Sequence, residues 1–332
     1  MAQQVVTVFG GSGFLGRYVV RALAPTGAAI RIACRRQREA MICKSMGDVG
    51  QIAPVPCNIR DDASVAAAVA GANTVINLTG ILYERGAQTF DAVHREGAAR
   101  IAAAAGQAGV ERLIHVSAIG ADLGSDSAYA RSKAAGEEAV REAFPGATIM
   151  RPGLVFGAED EFFNRFAMYA RLAPVLPLIG GGHTKFQPVY VCDVAQAIVR
   201  ALADNGTRNE IFELGGPRVT TFRELMELLL STIHRRRLLI PVPFWVATAK
   251  AALIEAGLAL PAAVVPGLTP PPPLTVDQVR LLRRDNIVGG EAGTLADLDI
   301  VPVSMEAILP SYLCRFRPGG GLRDDAARAA AR

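Results

Sequence analysis

No two cysteines of this 332-residue sequence stand in a C-x-x-C pair. The five, Cys34, Cys43, Cys57, Cys192 and Cys314, are an odd and scattered set. That argues against a disulfide framework and for a reducing compartment. The four histidines are equally dispersed, and no metal site is expected. Lysine is scarce and arginine supplies most of the positive charge. A net charge of only +4 gives no argument for a nucleic-acid partner. A signal peptide's basic n-region and cleavage site are missing too: "MAQQVVTVFGGSG", at 1–13, reads as a strand at once. One long apolar stretch, 243–268, approaches the length of a membrane span. Lys250, Glu255 and Pro261 interrupt it, and charge at that depth is costly.

What is present is apolar: 51% of the chain, enough for a sizeable core. The length allows one large α/β domain and a smaller lobe. Through residue 157, short β-branched runs alternate with alanine-rich helical runs. "VVTVFG", "AIRIACRR", "IAPVPCNI", "TVINLTG", "RLIHVSAIGA" and "ATIMRPGLVFG" read as strands. They lack apolar/polar alternation, as strands covered on both faces do. The pattern predicts βαβ units and a Rossmann-type, doubly wound parallel sheet. Ser127 is placed to cap the helix "AYARSKAAGEEAVREAF". Beyond 157 the pattern loosens into a mixed C-terminal lobe over 158–315, with a segment near 186–215 returning to the first domain. "EFFNRFAMYARLAPVLPLIGGG" reads as a helix then a loop, and the proline run 270–273 as a linker. The tail, 316–332, is expected to fray or to be ordered only by a partner.

The first chemical signal is "GGSGFLG". It holds Gly10-x-x-Gly13-x-x-Gly16 and, overlapping it, Gly11-x-Gly13-x-x-Gly16. Alone the pattern is weak. Directly after a strand and opening a helix, it marks a dinucleotide turn. Glycine lets the backbone approach a pyrophosphate, and the helix N-terminus offers unpaired N–H groups and a positive dipole. Gly10, Ser12, Gly13, Phe14, Leu15 and Gly16 are therefore candidate contacts. An NAD site places a carboxylate at the end of the second strand, to bind the ribose hydroxyls. Here that position reads Cys34-Arg35-Arg36. Arg35 and Arg36 suit a 2′-phosphate, so NADPH is favoured over NADH. The alternative is a solvated strand end.

The second signal is "YARSK". Tyr129 and Lys133, four apart, share one helix face, and a nearby cation favours a phenolate. With the glycine turn, this resembles the extended branch of the short-chain dehydrogenase/reductase superfamily. The resemblance implies that Lys133 binds the nicotinamide ribose and lowers the pKa of Tyr129. It also marks Asn58 and Ile59 after the third strand and Leu78, Thr79 and Gly80 after the fourth. Val116 and Ser117 at the end of the fifth strand, and Pro152, Leu154 and Val155 in "RPGLVFG", complete the cofactor set. One departure matters: "HVSAIGAD" puts Ala118 or Ile119 where the superfamily has its carbonyl-polarising Ser or Thr. Loss of such a donor lowers rate about 100- to 1000-fold. Tyr129 and Lys133 then read as vestiges of a catalytic pair.

"FGAEDEFFNRFA" and "LTVDQVRLLRRDNIV" narrow the resemblance to one atypical subgroup. It comprises the NADPH-binding accessory subunits of respiratory complex I (NADH:ubiquinone oxidoreductase) and their bacterial relatives. This resemblance implies a non-catalytic subunit that binds NADPH and braces the hydrophilic arm. It would be peripheral, on the cytoplasmic or matrix-equivalent face of the inner membrane, with other complex I subunits as partners. The stretch 243–268 then reads as an interface with the membrane surface or a partner, and "HRRRLL" puts cations beside it. The plain alternative is that 243–268 is the small lobe's core. Two other functions stay open: a soluble NADP-dependent reductase or epimerase, and an NADP(H) redox sensor.

Overall fold

The computed structural model describes residues 4–256 and 274–320. Two compact units result. The first takes in residues through Val155, Pro188–Pro217 and Ile287–Ser304; the second takes in Phe156–Gln187, Arg218–Asn286 and the chain from Met305 on.

The first unit follows the alternating pattern. Its elements are β1 (Val5–Phe9), α1 (Phe14–Leu23), β2 (Ala29–Cys34), β3 (Ile52–Pro56), α2 (Asp62–Val69) and β4 (Thr74–Asn77). Then come α3 (Glu96–Gln107), β5 (Arg112–Val116), α4 (Ala128–Ala143), β6 (Thr148–Pro152), α5 (Val191–Ala203) and β7 (Ile211–Leu214). The strands form a seven-stranded parallel sheet in the order β7-β6-β5-β4-β1-β2-β3. Strand order reverses between β1 and β4, the switch point where doubly wound sheets bind ligands beyond their carboxyl ends.

Two cores sit on the two faces of this sheet. Val8, Ile32, Ile76 and Ile114 pack with Val19 of α1 and Val194 of α5. Their neighbours Phe9, Ala33, Val75 and Leu113 point the other way, onto Ala68 of α2, Ile101 of α3 and Val140 of α4. Period-two alternation thus feeds two apolar layers, which is why these strands read as unbroken apolar runs. Ser127 caps α4 as its position predicted, accepting a hydrogen bond from Ala130 N–H.

Three readings of the C-terminal half need correction. Residues 287–304, expected in the lobe, belong to the first unit. Glu213 N–H donates to Gly293 O (2.7 Å) and Gly293 N–H to Ile211 O (2.9 Å), so this segment pairs the otherwise open edge of β7. Leu295, Leu298 and Ile300 enter its core. The expected tail is anchored where it begins. Phe316 is buried, and Arg317 Nε donates to Thr232 O (3.0 Å). Residues 321–332 lie outside the described residues. Finally, the loop read over "APVLPLI" contains a strand, Val175–Ile179, paired in parallel with Leu238–Val242. Its partner is some sixty positions away and no local pattern announces it. In the same unit the helix Phe244–Glu255 buries only Ala247 and Ala251, leaving Trp245 73% exposed. Ala247 and Ala251 join a small core with Ile179 and Val279, Phe244 packing against it, so the described part of 243–268 is partly core and partly exposed; the rest, 257–268, lies outside the described residues, as does the proline run.

Candidate functional site

The glycine turn is built for a close ligand. Gly10 has φ +76°, a left-handed conformation that suits glycine, and an added Cβ there would press on Leu78 and Thr79 backbone at 3.1–3.3 Å. A Cβ on Gly16 would overlap the Gly10 carbonyl oxygen. Gly13 caps α1, whose first turn holds no carboxylate. A helix N-terminus of this kind attracts anions. Ser12, Gly13, Phe14 and Leu15 line up around that turn, although Leu15 also packs on the core. Arg35 and Arg36 follow β2 into solvent. Arg36 is paired with Glu39 (2.8 Å), whereas Arg35 makes no ion pair among the described residues. Arg17, which the sequence reading passed over, lies one residue beyond Gly16. Its Nε is buried without a hydrogen-bond partner.

Asn58 and Ile59 shape the next loop more than they face it. Asn58 Oδ1 accepts from Arg60 N–H, and Ile59 Cδ1 lies under Gly97. Beyond β4, Asn77 Oδ1 accepts from both Thr79 N–H (3.1 Å) and Thr79 Oγ1–H (2.5 Å), folding Leu78, Thr79 and Gly80 back over the glycine turn. On the other side, Ser117 N–H donates to Met150 O and Ile119 N–H to Pro152 O, while Leu154 O accepts from Val189 N–H. Val155 is half-buried beside them. Among the described residues Ser117 Oγ is buried with no hydrogen-bond partner, a polar group turned inward with nothing to satisfy it. An orphaned hydroxyl and a glycine cradle that a Cβ would fill both fit a nicotinamide dinucleotide.

Tyr129 and Lys133 stand on α4 as their spacing predicted, but their chemistry differs from that of a poised acid–base pair. Lys133 Nζ donates to Val116 O (3.2 Å), and burial lowers its pKa to about 8 against an upward pull from Glu137. Burial pushes the Tyr129 phenol up to about 12. Desolvation is the largest influence on that phenol. Ala118 offers no side-chain donor.

Beneath this pair lies a cluster the sequence reading missed. His94 Nε2 accepts from Ile81 N–H (3.0 Å), so its proton sits on Nδ1, which contacts Ser132 Oγ (2.9 Å); Ser132 in turn donates to Tyr129 O (2.8 Å). The His94 ring stacks on Phe90 and meets the edge of Tyr129, at 5.6 and 5.4 Å between centroids. His115 Nδ1 pairs with Asn77 Nδ2 (3.0 Å). Burial first, then the Lys133 charge, holds both imidazoles neutral, with pKa values lowered to about 2 for His94 and about 3 for His115. The available signal was a histidine inside the apolar run "RLIHV".

Residues 6–215 match the NAD dependent epimerase/dehydratase family. The chain belongs to that family. It is 41% identical over 320 residues to NADH dehydrogenase (ubiquinone) 1 alpha subcomplex subunit 9, mitochondrial, of Arabidopsis thaliana; 95% of this chain and 79% of that protein are covered. It is 33% identical over 311 residues to the NADH-ubiquinone oxidoreductase 40 kDa subunit, mitochondrial, of Neurospora crassa, covering 94% and 79%. These relatives bear out the resemblance read from "LTVDQVRLLRRDNIV". Among solved structures, the NADPH-dependent quinone oxidoreductase QOR2 of Escherichia coli, complexed with NADPH, superposes with a TM-score of 0.71 at 19% identity, over 93% of this chain and 99% of that one. That likeness concerns the fold.

Proposed function

We propose that this protein is an accessory subunit of a respiratory NADH:ubiquinone oxidoreductase that binds NADPH and does not turn it over. The observation that carries the reading is the likeness to two NADH:ubiquinone oxidoreductase subunits across most of their length. The site supports the second half. Gly10, Gly13 and Gly16 hold the pyrophosphate, Arg35 and Arg36 the 2′-phosphate, and Lys133 with Ser117 the nicotinamide ribose. When bound, the dinucleotide would supply hydride chemistry, but no donor stands at Ala118 to polarise a carbonyl. A ligand that binds only the folded state stabilises it by mass action, about 4 kcal/mol at a thousandfold over its Kd.

Membrane attachment is peripheral on this reading. Among the described residues no helix is long and apolar enough to cross a membrane. In the second unit, Arg171, Arg235, Arg236 and Arg237 form no salt bridge to a carboxylate among the described residues, while Leu172, Leu238, Ile240 and Trp245 are exposed nearby in sequence. Arginines beside exposed apolar side chains suit an anionic membrane surface or a partner subunit.

The test is isolation of the native complex under mild conditions. This chain should copurify with the other subunits and carry NADPH in stoichiometric, slowly exchanging form. Arg35→Glu should reduce the Tm gain that NADPH gives, and Tyr129→Phe should leave assembly intact. A lone monomer with freely exchanging cofactor, or assembly lost in Tyr129→Phe, refutes the proposal and favours the reductase.

A further inference from the structure

We propose that the imidazole of His94 is a positioning residue for the nicotinamide half of the dinucleotide, fixing loop 78–81 through Ile81 N–H. The inference rests on the NADPH reading above and adds a residue to it.

The loop touches both parts of the site. At its start, Leu78 and Thr79 back onto Gly10 of the phosphate turn. In its middle, a Cβ at Gly80 would lie 3.4 Å from Lys133 Nζ and 3.7 Å from His94 Nε2. Two buried histidines hold its ends: His115 acts on the first through Asn77, and His94 on the last through Ile81. His94 alone spans from the loop to α4, because its second nitrogen meets Ser132 between Tyr129 and Lys133. The imidazole thus sets the distance between the loop backbone and the helix carrying the Tyr–Lys pair.

The backbone is shaped to place it. Residues Asp91–Arg95 form a π-helical turn leading into α3. Such turns carry an extra residue and recur at functional sites. Here the turn brings the His94 ring onto Phe90 and Tyr129. Gly136 of α4 lies against the His94 carbonyl so closely that any Cβ would overlap it. Both partners of the imidazole are therefore held at fixed separation. The bond roles are fixed as well. Ile81 N–H requires an acceptor at Nε2, which a phenyl ring cannot provide.

A glutamine at this position can present its terminal amide oxygen near the place of Nε2. An asparagine reaches only to about Nδ1, on the Ser132 side. Full-length His94→Gln, His94→Asn and His94→Phe are to be titrated with NADPH and with 2′,5′-ADP, which lacks the nicotinamide. Loss of one buried hydrogen bond corresponds to about threefold to tenfold in affinity. The expected result is NADPH affinity near wild type in His94→Gln, and weakened about threefold to tenfold in His94→Asn and His94→Phe. Affinity for 2′,5′-ADP should be unchanged in all three. If the phenylalanine variant fails to fold, the glutamine–asparagine pair decides. A parallel loss of 2′,5′-ADP binding would make His94 a general structural residue and overturn the assignment. So would equal NADPH affinity in the glutamine and asparagine variants. Failure of wild type to bind NADPH at all would instead refute the cofactor reading.

Discussion

Acid should loosen this fold through two residues in particular. His94 and His115 are neutral in the folded protein, with pKa values of about 2 and about 3, against 6.5 when unfolded. For a base whose folded pKa is depressed, the unfolded state binds more protons between the two values. Stability therefore falls as pH drops below about 6.5 and goes on falling to about 3. Each pH unit well inside that window costs about 1.4 kcal/mol per histidine. From pH 7 to pH 5 each loses about 2 kcal/mol, together about 4 kcal/mol, a large part of a typical 5–15 kcal/mol. Asp160 and Asp193, whose pKa values burial raises, act in the opposite sense as pH falls, so the comparison must be made between variants. Urea unfolding of wild type and His94→Gln at both pH values isolates the term. The variant should lose about 2 kcal/mol less between pH 7 and 5. Equal losses would show that His94 is not held neutral and would sink the argument.

Three further outcomes are expected. Lys133, driven from 10.5 to about 8 by burial, opposes folding at pH 7; Lys133→Met should raise stability by up to about 3 kcal/mol in chemical denaturation while weakening NADPH binding. Gly16→Ala, whose Cβ overlaps the Gly10 carbonyl, should abolish NADPH binding by fluorescence titration at concentrations that saturate wild type. Arg151 joins Glu137 (2.6 Å) and Glu213 (3.5 Å), and Glu137 is buried; Arg151→Met leaves uncompensated carboxylates and should cost about 3–5 kcal/mol in the same denaturation assay.

The parallel sheet was legible because its information is local. A buried strand, a glycine turn and a capped helix each announce themselves within about ten residues, as "VVTVFGGSGFLG" and Ser127 do. Tyr129 and Lys133 were legible for the same reason, one helix turn apart. What escaped is long-range. The edge pairing of 287–304 with β7 joins segments far apart in sequence, as does the pairing of Val175–Ile179 with Leu238–Val242. His94 and Ser132 are likewise 38 positions apart. A lone histidine in a helical stretch gives no sign that its two nitrogens will meet a loop and a second helix.

The energetics of Lys133 bear on which function the site serves. A buried ammonium with a carbonyl as its hydrogen-bond partner is a standing cost to folding, and so is a buried hydroxyl with no partner at Ser117. A site relieved of all duty would be free to replace both with apolar groups, which repacking shows to be neutral or stabilising in many cores. This chain keeps them, yet has an alanine at 118 where turnover needs a donor. The groups retained are those that would contact a ribose; those missing are the ones that would act on a substrate. Lys133→Met therefore separates a cofactor-holding role from a purely structural one. On the cofactor-holding reading it stabilises the isolated protein and weakens NADPH binding, whereas a purely structural role would change stability alone.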